Sequence, residues 1–336
     1  MKQEFAMLAH HAEMGGNYVG WYASRKLDGW GCVWDGGVTT GMNGSDVPWN
    51  YVGADDPDRK ATGLWTIGRA DKYGIKPKII SAPEEFINQL PKGIPLHGEL
   101  WKDDDRDFVQ SVCSKLNPVL SEWKKIIFYI YNVKPYECWI KQGLNWDFQN
   151  SVQVENQAWL DRMKEAHEVV NKTEQVGFLL QYKIEQENDL DALWAIAKEK
   201  KWEGLCLINP FSKYETERSH SLLKMKTEYD TEAYCISWTE GKGRHVGRVG
   251  ALTCKLIWGE KVSTIKGGSD ELIGKEIIFK VAGGLSDKER EFNNVESKYI
   301  DKWLKIKFNG LAGNGRPPSA SITGETFEGT YPKKQV

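Results

Sequence analysis

The sequence predicts an α+β domain followed by a small β-barrel domain. Three observations support this prediction. The 336 residues exceed what one hydrophobic core usually organises. The first two thirds of the chain mix β-prone runs with segments of helical spacing, and after Lys226 short β-type runs are separated by glycines. We place the boundary at Tyr229, which gives domains of residues 1–228 and 229–336.

The first predicted elements surround a lysine near the N-terminus. Residues 18–34, YVGWYASRKLDGWGCVW, mix aromatic and β-branched residues with glycine, which predicts two strands joined at a tight Asp28-Gly29 turn. Lys26 then lies beside that turn. Residues 43–63, rich in Gly, Pro, Asp and Asn, are expected to form a long loop. A short helix with Ser81 as its N-cap follows.

The rest of the first domain alternates strands and helices. PLHGELW, residues 95–101, is typical of a strand with His97, Glu99 and Trp101 on one face, and residues 124–133 form a strongly β-prone run. Residues 155–170 and 189–201 have helical spacing, and the second of these leads towards an apolar strand, GLCLINP. Together these elements predict antiparallel sheets flanked by helices.

The second domain is predicted as a barrel of short strands. The runs AYCISW, GALTCKLIW, KEIIFKVAGG and WLKIKF are β-prone and bounded by glycines or charged residues. The tail from Gly313 onward, rich in Gly, Pro, Ser and Thr, is expected to be flexible.

Charge and cysteine content limit the function classes. From Tyr229 onward there are 17 Lys+Arg against 14 Asp+Glu, or +3, and 28 against 33, or −5, before it. The C-terminal domain therefore carries the basic excess that nucleic-acid binding requires. The six cysteines show no Cys-x-x-Cys spacing, and no apolar run is long enough for a signal peptide or a membrane span. We expect a cytoplasmic monomer with reduced thiols and no membrane partner.

The chemistry begins at Lys26-Leu27-Asp28-Gly29, where a rigid turn could hold an amine at the mouth of a pocket. Alone, this tetrad is equally typical of an exposed hairpin lysine. Further residues in order along the chain change the interpretation: carboxylates at Glu99 and Glu203, each on a predicted strand, and aromatic rings in FYIYN, residues 128–132.

Two more lysines complete the set. Lys224 and Lys226 are two apart on a predicted strand, so both ammonium groups face one way while Leu223 and Met225 face the core. Paired cations suit a phosphate, and they favour the unprotonated form of a nearby amine, which a nucleophile requires. Glu99 and Glu203 could hold Mg²⁺, which bridges phosphate oxygens. The joint pattern predicts nucleotidyl transfer.

With these motifs the sequence resembles the covalent nucleotidyltransferase superfamily, and within it the ATP-dependent DNA ligases, most closely the small ones of phages and bacteria that serve replication, repair or recombination. The resemblance covers nearly the whole chain and implies a nucleotidyltransferase (adenylation) domain followed by an OB-fold domain. It also implies sealing of 5′-phosphate/3′-hydroxyl nicks with ATP as AMP donor, through lysyl-AMP and then a DNA-adenylate.

The resemblance assigns roles by matched motif. Lys26 matches the lysine of K-x-D-G that attacks ATP. Glu99 matches the glutamate of D-G-E-L, near the ribose and metal, and Tyr131 matches the aromatic residue that stacks on adenine. Glu203 matches the metal-binding carboxylate of the E-G motif. The lysines that hold the α-phosphate are matched by Lys224 and Lys226.

The resemblance also implies contacts with nicked duplex DNA. Residues 231–256 resemble the start of a ligase OB domain, whose Gly-rich basic loop here carries Lys242, Arg244 and Arg248. Glycines allow close approach to phosphates, and Lys or Arg contacts give salt-dependent affinity that does not depend on base sequence. Arg218 resembles the arginine of the family's G-R-S run, and Arg69 is assigned as a nick-contacting arginine.

Three positions depart from the family pattern. Gly31 stands where K-x-D-G-x-R has its arginine, His97 replaces the aspartate before Gly-Glu, and the basic C-terminal motif is reduced to Arg316. Two groups of alternatives stay open: an RNA ligase or mRNA-capping guanylyltransferase of the same superfamily, and a non-catalytic nick-binding relative.

Overall fold

A computed structural model of the chain describes residues 4–12, 15–42, 60–67, 70–71, 74–75, 77–142 and 155–331. The chain forms two compact units, one of residues 1–197 and 204–225, the other of residues 198–203 and 226–336. None of the described helices is long and apolar enough to cross a bilayer. Most of the predicted loop at residues 43–63 lies outside the described residues.

The first unit contains two five-stranded sheets. The first sheet has, in spatial order, β1 (Leu8–His11), β12 (Arg218–Lys226), β11 (Gly204–Ile208), β2 (Tyr22–Arg25) and β10 (Tyr182–Lys183). The second has β4 (Leu64–Thr66), β3 (Trp30–Trp34), β7 (Leu96–Trp101), β8 (Ile127–Val133) and β9 (Val176–Phe178). Strands β5 (Ala70–Asp71) and β6 (Gly74–Ile75) pair separately.

Helices complete this unit and its core. They are α1 (Glu84–Ile87), α2 (Arg106–Cys113), α3 (Leu120–Trp123), α4 (Tyr136–Ile140), α5 (Trp159–Val169) and α6 (Glu187–Glu199), the last of which ends beyond the unit. One hydrophobic cluster draws side chains from both sheets, including Trp34 and Phe128 of the second and Ile208 of the first. The two sheets therefore share a single core.

Three local predictions for this unit are wrong. Strands β2 and β3 do not form a hairpin, because each pairs within a different sheet. Helix α1 begins at Glu84 with Pro83 as its N-cap, so Ser81 does not cap it. The sheets are not antiparallel throughout: β1 pairs with β12 and β8 with β9 in parallel. The described part of the chain between β8 and β9 includes helices α4 and α5, which belong to the crossover that a parallel pair needs.

The second unit is a barrel whose named strands pair in antiparallel fashion. Its strands are β15 (Glu276–Val281), β14 (Val249–Ile257), β13 (Tyr229–Glu240), β16 (Trp303–Phe308) and β17 (Ser321–Phe327), with helix α7 (Phe292–Lys298) and 3₁₀ helices at Gly243–His245, Glu260–Thr264 and Asp270–Leu272. Its own hydrophobic core includes Leu252, Val281 and Ile306.

The barrel closes where β15 meets β17. Gly283 forms a parallel bridge with Ser321, and a Cβ atom on Gly283 would lie 2.2 Å from Ser321 Oγ. The two segments therefore approach closely at this crossing. The prediction of a flexible tail from Gly313 is wrong for residues 321–327, because β17 pairs with β16 and completes the barrel.

Candidate active site

Lys26 lies where the chain crosses from one sheet of the first unit to the other. It directly follows β2 and is half-buried, and its backbone N–H donates a hydrogen bond to Gly204 O over 2.9 Å. Glu203 is the residue before Gly204. The backbone of the predicted nucleophile is thus fixed to the strand that follows the second predicted carboxylate.

Asp104, in the turn after β7, fixes the same segment from the other side. Its carboxylate pairs with Arg25 and accepts hydrogen bonds from Trp101 Nε1 over 2.7 Å and from the backbone N–H of Asp28 over 3.4 Å. The Arg25 guanidinium also lies 5.4 Å from the centroid of the Trp101 ring. Residues on both sides of Lys26 are therefore tied to one carboxylate.

Gly29, the glycine of the motif, is required by close packing. A Cβ atom there would lie 2.3 Å from Leu100 O and 3.0 Å from Glu99 Cγ. Gly29 is not among the residues with positive φ, so it does not serve a left-handed turn. The glycine brings the lysine segment against β7, the strand that carries Glu99.

Glu99 lies opposite Gly31 across the β3–β7 pair. A Cβ atom on Gly31 would lie 3.5 Å from Glu99 Oε2 and 2.3 Å from Ile67 Cδ1. The family's arginine at this position would therefore start beside the carboxylate, and Ile67 occupies that space here.

A β-bulge orients Tyr131. In the β7–β8 pair the register passes from His97 opposite Asn132 to Gly98 opposite Ile130, so Tyr131 is the extra residue of β8. Such bulges commonly re-aim a side chain beside a functional site. The indole Nε1 of Trp159 donates to Tyr131 O over 3.0 Å and satisfies the displaced carbonyl.

His97 holds the Tyr131 ring through a buried polar chain. Its Nε2 lies 2.9 Å from the Tyr131 hydroxyl and its Nδ1 lies 3.0 Å from the Tyr214 hydroxyl, which accepts from Met7 N over 3.2 Å. Burial, and then the charge of Lys134, lowers the pKa of His97 to about 3, so the imidazole is neutral. His97, which replaces the family's aspartate, thus helps to hold Tyr131, the residue predicted to stack on adenine.

The two lysines of β12 have different surroundings. Both are half-buried and alternate with the buried Leu223 and Met225, as predicted. Lys226 Nζ lies 2.9 Å from Glu203 Oε1, and Glu203 is almost fully buried. Lys224 lies opposite His11 of β1.

The Gly-rich basic loop of the second unit joins β13 to β14. Lys242 and Arg244 are exposed, whereas Arg248 Nη1 lies 3.7 Å from Asp287 Oδ2. The base of the loop is anchored by Arg290, whose guanidinium donates to Val249 O and Gly250 O over 3.0 and 2.8 Å.

The first unit thus brings together Lys26, Glu99 and Tyr131 on and between neighbouring strands, with Lys224 on β12. Arg218 lies at the far end of β12 and is exposed, Arg316 is exposed in the second unit, and Arg69 lies outside the described residues. Sequence reasoning missed Asp104 and Tyr214. Among the described residues, no group of three His, Cys, Asp or Glu side chains is arranged to hold a metal.

Residues 240–324 match the family model of the DNA ligase OB-like domain. The chain is 24% identical over 243 residues to a DNA ligase of Haemophilus influenzae, covering 72% of this chain and 75% of the relative. A solved structure described as "DNA binding with a minimal scaffold: Structure-function analysis of Lig E DNA ligases" has a TM-score of 0.64 and 21% identity, covering 94% of this chain and 97% of that chain. The structure "Pmar-Lig_Pre." has a TM-score of 0.62 and 18% identity, covering 95% of this chain and 66% of that chain.

These similarities agree with the motifs. The predicted fold class, an α+β nucleotidyltransferase domain with a C-terminal OB-like barrel, is confirmed. The resemblance predicted from the motifs is confirmed as well: the chain is similar in sequence to a DNA ligase and in fold to a solved DNA ligase structure.

Proposed function

We propose that this chain seals nicks in duplex DNA by ATP-dependent ligation through a lysyl-AMP intermediate on Lys26. The observation that carries the proposal is the placement of Lys26 at the crossing between two sheets, with Asp104 bound to residues on either side of it. The strands of those sheets carry Glu99, Tyr131 and Lys224. A lysine whose backbone is fixed, on sheets that also carry cations and carboxylates, suits attack on a phosphate.

Three transfers make up the reaction. Lys26 Nζ attacks the α-phosphorus of ATP, a P–N bond forms, the amine loses a proton and pyrophosphate leaves. An oxygen of the nick's 5′-phosphate then attacks that phosphorus, and the bond to Nζ breaks. Finally the 3′-hydroxyl loses its proton to solvent and attacks the activated 5′-phosphorus, and AMP leaves with the electrons of the broken bond. Positioning and neutralisation of charge supply most of the acceleration in such in-line steps.

The other residues position the groups that react. The adenine stacks on Tyr131, whose ring His97 holds in place. Lys224 neutralises charge on the AMP phosphate at each step. Lys226 serves the same phosphate and also balances the charge of Glu203.

Glu99 and Glu203 fit Mg²⁺ in kind, because this ion binds through one or two carboxylates together with phosphate oxygens and waters. When bound, Mg²⁺ would neutralise charge on the phosphates and on the leaving pyrophosphate. The partner is nicked duplex DNA. Its phosphates meet the exposed Lys242 and Arg244 of the OB-like unit, together with Arg248 and Arg218 of the predicted set and, by sequence alone, Arg69.

The test follows AMP through the reaction. With α-labelled ATP and Mg²⁺ the parent should acquire label that nicked DNA discharges, and Lys26→Ala should acquire none yet still seal a nick supplied already adenylylated. Lys224→Ala should lose both activities. Lys183→Ala, an exposed lysine in the same sheet, is the control and should match the parent.

The alternatives have their own outcomes in this assay. Labelling by GTP and not ATP would indicate a capping-type guanylyltransferase, and discharge only by nicked RNA would indicate an RNA ligase. A stable AMP adduct on Lys26→Ala would place the nucleophile elsewhere. Failure of the parent to acquire label from either nucleotide would favour a non-catalytic nick-binding protein.

A further inference from the structure

Two histidines outside the proposed catalytic site stack on each other at an edge of the first sheet. The rings of His10, on β1, and His220, on β12, have centroids 4.0 Å apart and planes inclined by 15°. His220 is exposed and His10 is half-buried, so a ligand can reach the pair from solvent.

Every charge that acts on His10 is positive. Burial, and then the charges of His220, Arg218 and Lys224 of β12, lowers the pKa of His10. Arg218 is exposed and donates through Nη1 to Ala9 O over 2.6 Å, which holds its guanidinium beside β1. These charges oppose a further positive charge on His10, so its imidazole takes up a proton readily only when an anion is bound.

The position of the pair decides which phosphate it can reach. In the order β1-β12-β11-β2, the strand of His10 is three spacings from β2, at whose end Lys26 lies. At about 4.8 Å per spacing, β1 is roughly 14 Å from the nucleophile's strand. A site this far along the sheet is placed for a phosphate other than the one bonded to Lys26, such as a backbone phosphate farther along a nucleic-acid strand.

We propose that His10, His220 and Arg218 form a subsite for a backbone phosphate of nicked duplex DNA, and that DNA binding there is coupled to proton uptake by His10. This inference rests on the proposed function for the identity of the DNA, and on the geometry above for the phosphate. Because binding and protonation are linked, affinity rises as pH falls through the range in which His10 titrates.

The experiment compares affinity for nicked duplex at pH 8.0 and pH 6.0, at fixed ionic strength and without ATP. The parent should bind about 10-fold more tightly at the lower pH, since uptake of one proton changes affinity by at most about 10-fold per pH unit. In His10→Asn/His220→Asn the gain in affinity between pH 8.0 and pH 6.0 should be at least about 3-fold smaller than in the parent. His245 of the basic loop is present in both proteins, so it does not cause the difference. His167→Asn removes a histidine stacked on Phe178 at 3.6 Å and should keep the parental gain.

Imidazole resonances identify the ligand directly. Nicked duplex should raise the titration midpoint of His10, while inorganic pyrophosphate should leave it unchanged; the reverse would make this a polyphosphate site and overturn the proposal. An unchanged pH gain in the double variant would also overturn it. Labelling with α-labelled ATP is scored separately: a parent without an AMP adduct refutes the ligase function, whereas a normal adduct with an unaltered pH gain in the variant refutes only the subsite.

Discussion

Replacing Gly29 by alanine tests whether the motif glycine sets the position of the nucleophile. The new Cβ would lie 2.3 Å from Leu100 O, a backbone atom of β7 that cannot rotate away. Restoring van der Waals contact requires a shift of about 1 Å between the lysine segment and β7, and a misplacement of that size can lower a rate about 100-fold. This corresponds to about 2.7 kcal/mol of activation free energy.

The assay is single-turnover formation of protein-AMP from α-labelled ATP, with stability followed by denaturant unfolding. Gly177→Ala is the matched control: Gly177 lies in β9 of the same sheet and its Cβ would have no atom within 4 Å. We expect the control to label at the parental rate. If Gly29→Ala also labels at that rate, the close approach to β7 does not position Lys26 and the reasoning fails.

Three further predictions address other parts of the structure. Asp104→Asn should slow protein-AMP formation at least about 10-fold, because it removes the charge that holds Arg25, the residue directly before Lys26. His97→Asn should weaken the pH dependence of the free energy of unfolding. In the folded protein the pKa of His97 is about 3, below its ordinary 6.5, so protons favour the unfolded chain below pH 6.5. At pH 5.5 this lowers the free energy of unfolding of the parent by about 1.4 kcal/mol. Removing both Lys242 and Arg244 should reduce the salt dependence of DNA affinity.

Each of these has a matched comparison. Asp103→Asn is the control for Asp104, since both residues have positive φ but Asp103 pairs with Lys102 over 2.9 Å; equal slowing in the two variants would refute the anchoring role. For His97, unfolding by denaturant at pH 7.5 and 5.5 gives the stability difference, and an unaltered difference contradicts the buried neutral state. Removing the exposed Lys275 and Lys280 together deletes the same charge from the barrel; an equal change in salt slope would show that the loop has no special role.

Much of the proposed site could be predicted because its chemistry restricts the residue types. Lys26, Glu99 and Lys224 are predicted from their motifs together with the family resemblance, and the alternation along β12 that predicts Lys224 holds in the structure. Asp104 could not be found, because it lies in an acidic run, Lys102-Asp-Asp-Asp-Arg106, in which nothing marks one carboxylate as the anchor. The contact between His97 and Tyr214 joins residues 117 positions apart, beyond any local pattern.

The errors in the predicted fold also come from contacts between residues that are far apart in the sequence. Asp-Gly between β-prone runs favours a hairpin locally, but β2 and β3 find their partners in separate sheets, and the glycine serves close packing instead. Residues 321–327 have the composition of a loop, yet the edge of β16 pairs with them and buries Ile322. Tertiary pairing decides β-structure more strongly than composition does.

The ion pair between Glu203 and Lys226 changes how a mutation in the predicted metal ligand must be interpreted. Glu203→Gln removes a carboxylate that could bind Mg²⁺, and it also removes the countercharge 2.9 Å from Lys226. Lys226→Gln and the double variant separate the two effects. If Glu203 acts through Mg²⁺, the concentration of Mg²⁺ needed for half-maximal adduct formation should rise in Glu203→Gln and in the double variant and stay near the parental value in Lys226→Gln. If the Glu203 carboxylate serves only to balance the charge of Lys226, the double variant should be no more impaired than Lys226→Gln. The Mg²⁺ requirement should then be the same in the parent, the two single variants and the double variant, and Glu203 would not belong to the metal site.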